Sequence, residues 1–189
     1  MKEKSILSQI GNMPISAKQL DRIGVSRNDL KSLLEDNKLL RLGRGVYQLV
    51  SSDLGDESLF RAATLRIQGP SAVCLISALA FYNLADEIPK KTWLLVDVNR
   101  KTYLKDIRLF RSHNPHWKVG ITEEKGYHIT SLDRTIVDCL TYQAKLGNVG
   151  ITALKRALKS KQTTLTKIAN MADQLEVPHR IAPYIRVLL

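Results

Sequence analysis

Apolar residues in the first part of the chain recur at three- and four-residue intervals, which is the period of amphipathic helices. A first short helix is predicted to carry Ile6, Leu7 and Ile10 on one face and to end at Gly11. A second helix is predicted over residues 15–24. Its inward-facing stripe comprises Ala17, Leu20 and Ile23. The pattern therefore predicts two short helices before residue 25.

Serine residues mark the starts of the second helix and of a third, because a short polar side chain can cap the free N–H groups of a first turn. Ser16 caps the second helix. Ser26, followed three positions later by Asp29, begins the third with an acidic variant of the capping box. Only Gly24 and Val25 lie between the two helices. Two short helices joined by so tight a turn are typical of a helix-turn-helix.

The hydrophobic period changes after the third helix. Residues 39–42 and 46–50 predict two strands around the turn Gly43-Arg44-Gly45. Three helices followed by such a hairpin predict a winged helix-turn-helix domain over residues 1–52.

The exposed face of the third helix has the chemistry that a major-groove helix needs. Its buried face comprises Leu30, Leu33 and Leu34. The candidate DNA-binding residues are Arg27, Asn28, Lys31 and Ser32 on this helix, with Arg41 and Arg44 on the hairpin. Asn28, Lys31 and Ser32 can address base edges, whereas Arg27 and the helix N-terminus can take a phosphate. Arg44 can reach the backbone or a minor groove. A merely solvated helix face has the same pattern, and the nearby carboxylates of Glu35 and Asp36 oppose DNA contact.

A polar segment over residues 51–56 predicts a linker, and beyond it strand and helix periods are mixed. We expect a second domain over residues 57–189, of α+β class, with a small sheet and several helices. Its strands are predicted at 92–98, 107–111, 117–121 and 127–129. Its helices are predicted at 57–68, 72–84, 131–145, 151–159, 165–175 and 179–189, with a break at Gly147-Asn148. The helix at 72–84 is apolar on nearly all sides, which is typical of a central core helix.

The charge balance adds a class of partner. Lys and Arg number 29 against 18 Asp and Glu, which gives a net charge of +11 at pH 7. A basic surface concentrates polyanions, so nucleic acid is the first candidate, an anionic membrane the second and an acidic protein the third. The N-terminus lacks the apolar region of a signal peptide, and Gly69 and Pro70 interrupt the longest uncharged stretch. We therefore expect a cytoplasmic protein with no membrane segment. Cys74 and Cys139 lie among apolar residues and are expected to be buried reduced thiols.

Motifs for catalysis or metal binding are scarce. The segment His113-Asn114-Pro115-His116 has no third ligand nearby and predicts a turn rather than a metal site. Glu123-Glu124-Lys125 contains the Glu-x-Lys of some nucleases, which Asp97 would have to complete. The sequence has no P-loop, dinucleotide fingerprint, Gly-x-Ser-x-Gly or zinc-ligand spacing. We therefore expect no cofactor, no metal and no enzyme activity.

Two further sets of charged residues lie on or next to predicted helices. Arg134 and Asp138 stand four residues apart on a predicted helix, where an intrahelical ion pair would contribute a few tenths of a kcal/mol. A basic cluster near a helix end comprises Lys155, Arg156, Lys159 and Lys161. Cations are favoured near a helix C-terminus, so the cluster is either a solvated face or a secondary contact for DNA or a protein partner.

Several segments together resemble AbiEi-type antitoxins of type IV, or abortive infection, toxin–antitoxin systems. The resemblance rests on residues 42–47 (LGRGVY), 77–84, 93–98 and 129–138 (ITSLDRTIVD). The last segment is the most specific, because Arg-Thr-x-x-Asp after a Thr-Ser start is rare by chance in this order.

The resemblance implies a two-domain protein whose winged helix binds an inverted repeat in its own promoter and represses the toxin–antitoxin operon. It also implies that the second domain neutralises, directly or indirectly, a cognate nucleotidyltransferase-like toxin. The expected partners are duplex DNA and that toxin, and the chain is expected to be a monomer in solution or a dimer on DNA. On this resemblance the chain is expected to be short for the family and to have no counterpart of the nuclease-like extension of some relatives.

Three alternatives stay open at the level of sequence. A stand-alone winged-helix regulator would have the same architecture without a toxin. A small nuclease guided by the winged helix would need carboxylates that converge with Glu123 or Glu124. A one-component regulator would hold a small ligand in a pocket of the α+β domain.

Overall fold

The chain folds into two compact units, Met1–Gly69 and Pro70–Leu189. The computed structural model describes residues 2–67, 69–86 and 89–188. Each unit combines helices with its own sheet, so the expected mixture of α and β structure is confirmed. None of the helices in these ranges is both long and apolar enough to cross a membrane.

The N-terminal unit surrounds a small antiparallel sheet. Its elements are α1 (Lys2–Ile10), β1 (Ile15–Ser16), α2 (Ala17–Arg22), α3 (Arg27–Glu35), β2 (Leu39–Gly43), β3 (Val46–Leu49) and α4 (Asp56–Ile67). The strand order is β1-β3-β2. Its core comprises Ile6, Ile10, Ile15, Leu20, Val25, Leu33, Leu39 and Tyr47.

Both predicted caps in this unit are confirmed. The Ser16 hydroxyl accepts the backbone N–H of Gln19 at 3.3 Å. The Ser26 hydroxyl accepts the N–H of Asp29 at 3.1 Å, and the Asp29 carboxylate accepts the N–H of Ser26 at 3.0 Å. These reciprocal bonds satisfy donors that a helix start leaves free, so they fix the chain direction on both sides of the turn.

The second helix begins two residues later than its apolar pattern predicts. Ile15 and Ser16 form a short strand against β3, with Ile15 opposite Tyr47. The N–H of Ala17 donates to the Gly45 carbonyl at 2.8 Å, and Ala17 is exposed instead of lying in the core. This strand pairs with residues far along the chain, and local periodicity carries no sign of such a pairing.

The segment predicted as a linker is tied into the N-terminal unit. Gln48 is fully buried, and its amide donates to the Asp53 carbonyl at 2.8 Å and to the Ser58 hydroxyl at 3.2 Å. Helix α4 packs on β1, β2 and β3. The boundary expected from the sequence lies before this helix, whereas the division between compact units falls after Gly69.

The C-terminal unit contains a mixed five-stranded sheet and helices packed on it. Its elements are β4 (Ser71–Val73), α5 (Leu75–Phe81), β5 (Thr92–Asp97), β6 (Ile107–Ser112), β7 (Ile121–Glu124), β8 (Tyr127–Thr130), α6 (Leu132–Thr141), α7 (Gln143–Lys159), α8 (Leu165–Gln174) and α9 (Pro178–Leu188). The strand order is β6-β5-β4-β8-β7. The β4–β8 and β5–β6 pairs are parallel, and the other two pairs are antiparallel.

Several predicted boundaries in this unit are wrong. The segment 72–84 begins as β4, because Ala72 and Val73 pair with β5, and only residues 75–81 are helical. The strand predicted at 117–121 lies at 121–124. Helix α6 contacts α5, α7, α8 and α9, so α6 rather than α5 is the central helix.

The predicted break at Gly147-Asn148 is also wrong, because α7 runs through both residues. The glycine nearby at position 150 has a packing role. A Cβ there would lie 3.0 Å from the backbone nitrogen of Leu140 and 3.1 Å from the Cys139 carbonyl carbon. Gly150 therefore lets α7 approach α6 closely, and small residues here mark helix packing instead of a helix end.

Candidate nucleic-acid interface

All six predicted DNA-binding side chains lie on the surface of the N-terminal unit. Four of them belong to α3, whose opposite face packs into the core through the buried Leu33 and the partly buried Leu30 and Leu34. The exposed residues are Arg27, Asn28, Lys31 and Ser32 on α3, and Arg41 and Arg44 on the hairpin. The predicted buried and exposed faces of α3 are both present, so its polar face is accessible to a partner.

Two of the α3 side chains have acidic neighbours on the same helix. The Lys31 ammonium lies 3.7 Å from the Glu35 carboxylate, and the Ser32 hydroxyl donates to Asp36 at 3.4 Å. The Lys31 and Glu35 side chains are 76% and 65% exposed, so water screens this pair and it contributes a few tenths of a kcal/mol. A base edge or phosphate can therefore displace these carboxylates at small cost.

The N-terminus of α3 is less suited to phosphate than the sequence suggests. The carboxylate of Asp29 lies there, bonded to the N–H and to the hydroxyl of Ser26. A phosphate at the same helix end would meet this negative charge. Phosphate contact at this end therefore depends on the exposed guanidinium of Arg27.

The hairpin presents its own cations near α3. The Nε of Arg41 donates to the Gly43 carbonyl at 3.3 Å, which holds that side chain along the strand. Arg44 is exposed at the tip, next to Gly45, whose φ of +71° allows the tight turn. Arg66 of α4 also lies against the hairpin, since a Cβ at Gly43 would lie 2.6 Å from the Arg66 Nε. This neighbour was not predicted from the sequence. Arg66 therefore brings a further positive charge to the hairpin.

The comparison with known families concerns this same segment. Residues 12–50 match the family described as "Transcriptional regulator, AbiEi antitoxin". The N-terminal segment is AbiEi-like. The match begins just before β1 and ends just after β3, so it covers the two capped helices and the hairpin. The resemblance to AbiEi-type antitoxins is thus confirmed over these residues. A comparison with curated proteins gave no match.

The second predicted basic cluster lies at the C-terminal end of α7. Lys155, Arg156, Lys159 and Lys161 are all exposed. The Arg156 guanidinium lies 2.5 Å from the Asp86 carboxylate, so part of its charge is balanced within the unit. The three lysines supply most of the positive charge that the cluster presents to a partner.

The structure separates the carboxylates of the nuclease alternative. Asp97 ends β5 and Glu123 lies on β7, and β4 and β8 run between these strands. Three strand spacings correspond to roughly 14 Å, too far for two carboxylates to share one metal ion. Across the part of the chain that the structure describes, no group of three or more His, Cys, Asp or Glu residues could hold a metal.

The predicted turn and the predicted thiols behave as expected. In the 113–116 segment, the Asn114 side chain accepts the N–H of His116 at 2.7 Å, and its amide donates to the Leu175 carbonyl at 2.7 Å. Cys74 and Cys139 are buried and unbonded to each other. Burial raises the pKa of both thiols well above their ordinary value, so neither is a reactive thiolate at neutral pH.

Proposed function

We propose that the N-terminal unit is a winged helix-turn-helix that binds duplex DNA, with α3 in the major groove and the β2–β3 hairpin as the wing. The AbiEi antitoxin match over residues 12–50 is the observation that carries the proposal. The element order supports it, because three helices, a capped tight turn and a hairpin follow one another as this class requires.

The exposed side chains divide into two roles in this proposal. Asn28, Lys31 and Ser32 address base edges, since amide, ammonium and hydroxyl groups match the donor and acceptor pattern of the major groove. The arginines contact the sugar–phosphate backbone and set the position of the helix. They are Arg27, Arg41 and Arg44, all of which are exposed.

We further propose that the protein is a non-catalytic antitoxin that represses its own operon. A single winged helix buries little surface, so two copies bind the two halves of an inverted repeat. In this division the C-terminal unit neutralises a nucleotidyltransferase-like toxin, and the basic cluster on α7 contacts that toxin or DNA. The family match and the net charge of +11 support this assignment.

The test is footprinting of the region upstream of the gene, together with affinity measured at several salt concentrations. We expect two protected half-sites separated by about one helical turn or a multiple. We also expect the affinity to fall steeply as salt rises, because phosphate contacts release counterions. One isolated half-site at saturation would overturn the dimeric arrangement, and a flat salt response would overturn DNA binding itself.

A stand-alone regulator differs from this proposal only in having no toxin. Co-expression with the product of the adjacent gene separates the two. Rescue of growth from a toxic neighbour supports the antitoxin, whereas repression without any rescue supports the stand-alone regulator.

A further inference from the structure

A cavity of about 290 Å³ lies within the C-terminal unit, between the end of β6, α6 and the start of α9. Its volume is close to the lower limit for small-molecule sites, which is roughly 300 Å³. The basic cluster on α7 lies elsewhere, so the proposed function leaves this cavity unused. Asp97 pairs with the lining residue Ser112 but does not itself line the cavity.

Positive charge dominates the cavity lining. The described lining residues include three guanidinium groups, those of Arg111, Arg134 and Arg180, and one carboxylate, that of Asp138. Arg134 and Asp138 are bonded to each other, with Nε 2.8 Å from Oδ2. Two arginine charges are thus left without an acidic counterpart in the described lining, which selects an anion.

Both of these arginines are held by backbone carbonyls. The Nε of Arg111 donates to the Arg100 carbonyl at 2.7 Å, and an Nη of Arg180 donates to the Thr141 carbonyl at 2.6 Å. A guanidinium has five N–H donors in a planar fork, so each side chain keeps donors for a ligand. Because one hydrogen bond already limits its rotation, each loses less entropy when it binds a planar or tetrahedral oxyanion.

One wall of the cavity is aromatic. The rings of Phe110 and Tyr142 meet edge to face, with centroids 5.2 Å apart. Both residues line the cavity beside Arg111. An apolar ring surface next to an arginine suits a ligand that joins a flat ring to an anionic group.

We infer that this cavity binds a phosphate monoester of mononucleotide size, with the phosphate between Arg111 and Arg180 and the ring against Phe110 and Tyr142. The site goes beyond DNA binding and toxin neutralisation, and it would make the C-terminal unit responsive to a ligand. The same chemistry is present in a free nucleotide and in the 5′-phosphate end of an oligonucleotide.

The experiment is isothermal titration of the full chain with inorganic phosphate, AMP, CMP, the corresponding nucleosides, and a short oligonucleotide with or without its 5′-phosphate. We expect AMP or CMP to bind more tightly than phosphate, and nucleosides not to bind. Arg111→Gln and Arg180→Gln should each weaken binding by about tenfold or more, the loss expected for a hydrogen bond to a charged group. Arg111→Lys should recover it only in part, because lysine lacks the planar fork.

The matched controls are Arg108→Gln on β6 and Arg186→Gln on α9, two exposed arginines outside the cavity lining. Unchanged affinity in both controls supports the site, whereas losses equal to those of the cavity variants show diffuse charge attraction and overturn it. Absence of binding by every phosphate probe at millimolar concentration also overturns it. Tight binding of the phosphorylated oligonucleotide alone assigns the site to nucleic-acid ends, and tight binding of AMP or CMP assigns it to free nucleotides. Melting curves test whether each variant is folded. If Arg111→Gln does not fold, Arg111→Lys takes its place.

Discussion

The guanidinium of Arg134 lies buried against the carboxylate of Asp138, one turn further along α6, with the side chains 2% and 9% exposed. Arg134 also donates to the carbonyls of Trp117 and Val119, which precede β7. This arginine therefore joins the central helix to a segment without regular structure. The ion pair predicted from the spacing is confirmed, and its burial makes the loss of one partner more costly than the few tenths of a kcal/mol expected from spacing alone.

Replacing Arg134 by Met should lower the free energy of unfolding by about 3–5 kcal/mol, because Asp138 and two carbonyls lose their partner in a buried place. Urea unfolding followed by tryptophan fluorescence measures this directly, since both Trp93 and Trp117 lie in the C-terminal unit. The matched control is Arg186→Met, an exposed arginine on α9, which should change stability by less than about 0.5 kcal/mol. A similarly small effect at Arg134 would contradict the structural role.

The pair also predicts a dependence of stability on pH. Burial raises the pKa of Asp138 to about 6, and the neighbouring Arg134 opposes this rise. Besides Arg134, the thiols of Cys74 and Cys139 interact with the carboxyl, and His113, Arg111 and Arg180 line the same cavity. Between the ordinary pKa of 3.8 and about 6, the folded chain holds a proton that the unfolded chain has released. The contribution of Asp138 to stability is therefore present below this window and is lost as pH rises through it.

Asp138→Asn removes this titration, so the comparison is the free energy of unfolding of wild type minus that of the variant at each pH. We expect the difference to fall by about 2 kcal/mol between pH 4 and pH 6.5 and to change little above. A difference that rises with pH would show that Arg134 outweighs burial and depresses the pKa of the carboxyl.

Local rules predicted the N-terminal unit better than the C-terminal one, and the reason lies in the range of the interactions. Ser26 and Asp29 form their capping box within one turn, so a few consecutive positions suffice to predict it. The strand Ser71–Val73 forms because Ala72 meets Leu95 and Val73 meets Ile129, partners more than twenty residues away. The apolar run at 72–84 fits a buried strand and a buried helix equally well, and periodicity cannot separate them.

The candidate DNA-binding surface was predictable from spacing, because α3 shows its polar face with a period of three to four residues. The position of Arg66 was not predictable, since Arg66 lies against the hairpin only because α4 packs on β2, which is distant in sequence. The cavity arginines could not be predicted from the sequence either, because Arg111 and Arg180 come to line one cavity only when β6 and α9 are assembled around α6.

Asn28→Ala should lower affinity for the operator by about 1–3 kcal/mol per half-site and relax specificity at the contacted base pair, if Asn28 reads a base. Competition binding with operator variants measures both quantities. The control is Asn170→Ala, an exposed asparagine on α8 in the other unit, which should leave binding unchanged. Equal losses for operator and random DNA would show that Asn28 contacts the backbone and does not read a base.

Arg44→Ala should weaken binding to operator and random DNA alike, because an arginine bound to phosphate carries little sequence information. The slope of log affinity against log salt should become shallower by about one unit for each phosphate that the variant no longer neutralises. A weakening confined to the operator would instead place Arg44 in a narrow minor groove whose shape depends on sequence.

The last prediction concerns the basic cluster on α7. Residues 151–189 contain seven basic and two acidic side chains, a net charge of +5. So large an excess of positive charge favours contact with DNA as well as with a protein partner. Arg156 is already paired with Asp86, so Lys155 and Lys159 are the better positions for reversal. We expect Lys155→Glu/Lys159→Glu to weaken both promoter repression and rescue from a co-expressed toxin, because the same charge serves DNA and the toxin. A promoter reporter and a growth assay in the same strain measure the two activities side by side.

The matched control for this reversal is Lys101→Glu/Lys105→Glu, which makes the same change in net charge at two exposed lysines between β5 and β6. If the control lowers repression equally, the effect belongs to the overall charge and not to the α7 cluster. Loss of rescue with intact repression would assign the cluster to the toxin, and the reverse would assign it to DNA. Asn28→Ala should leave rescue intact in the same assay, because it leaves the C-terminal unit untouched. Loss of rescue in a folded, abundant Asn28→Ala protein would contradict the division of labour between the two units.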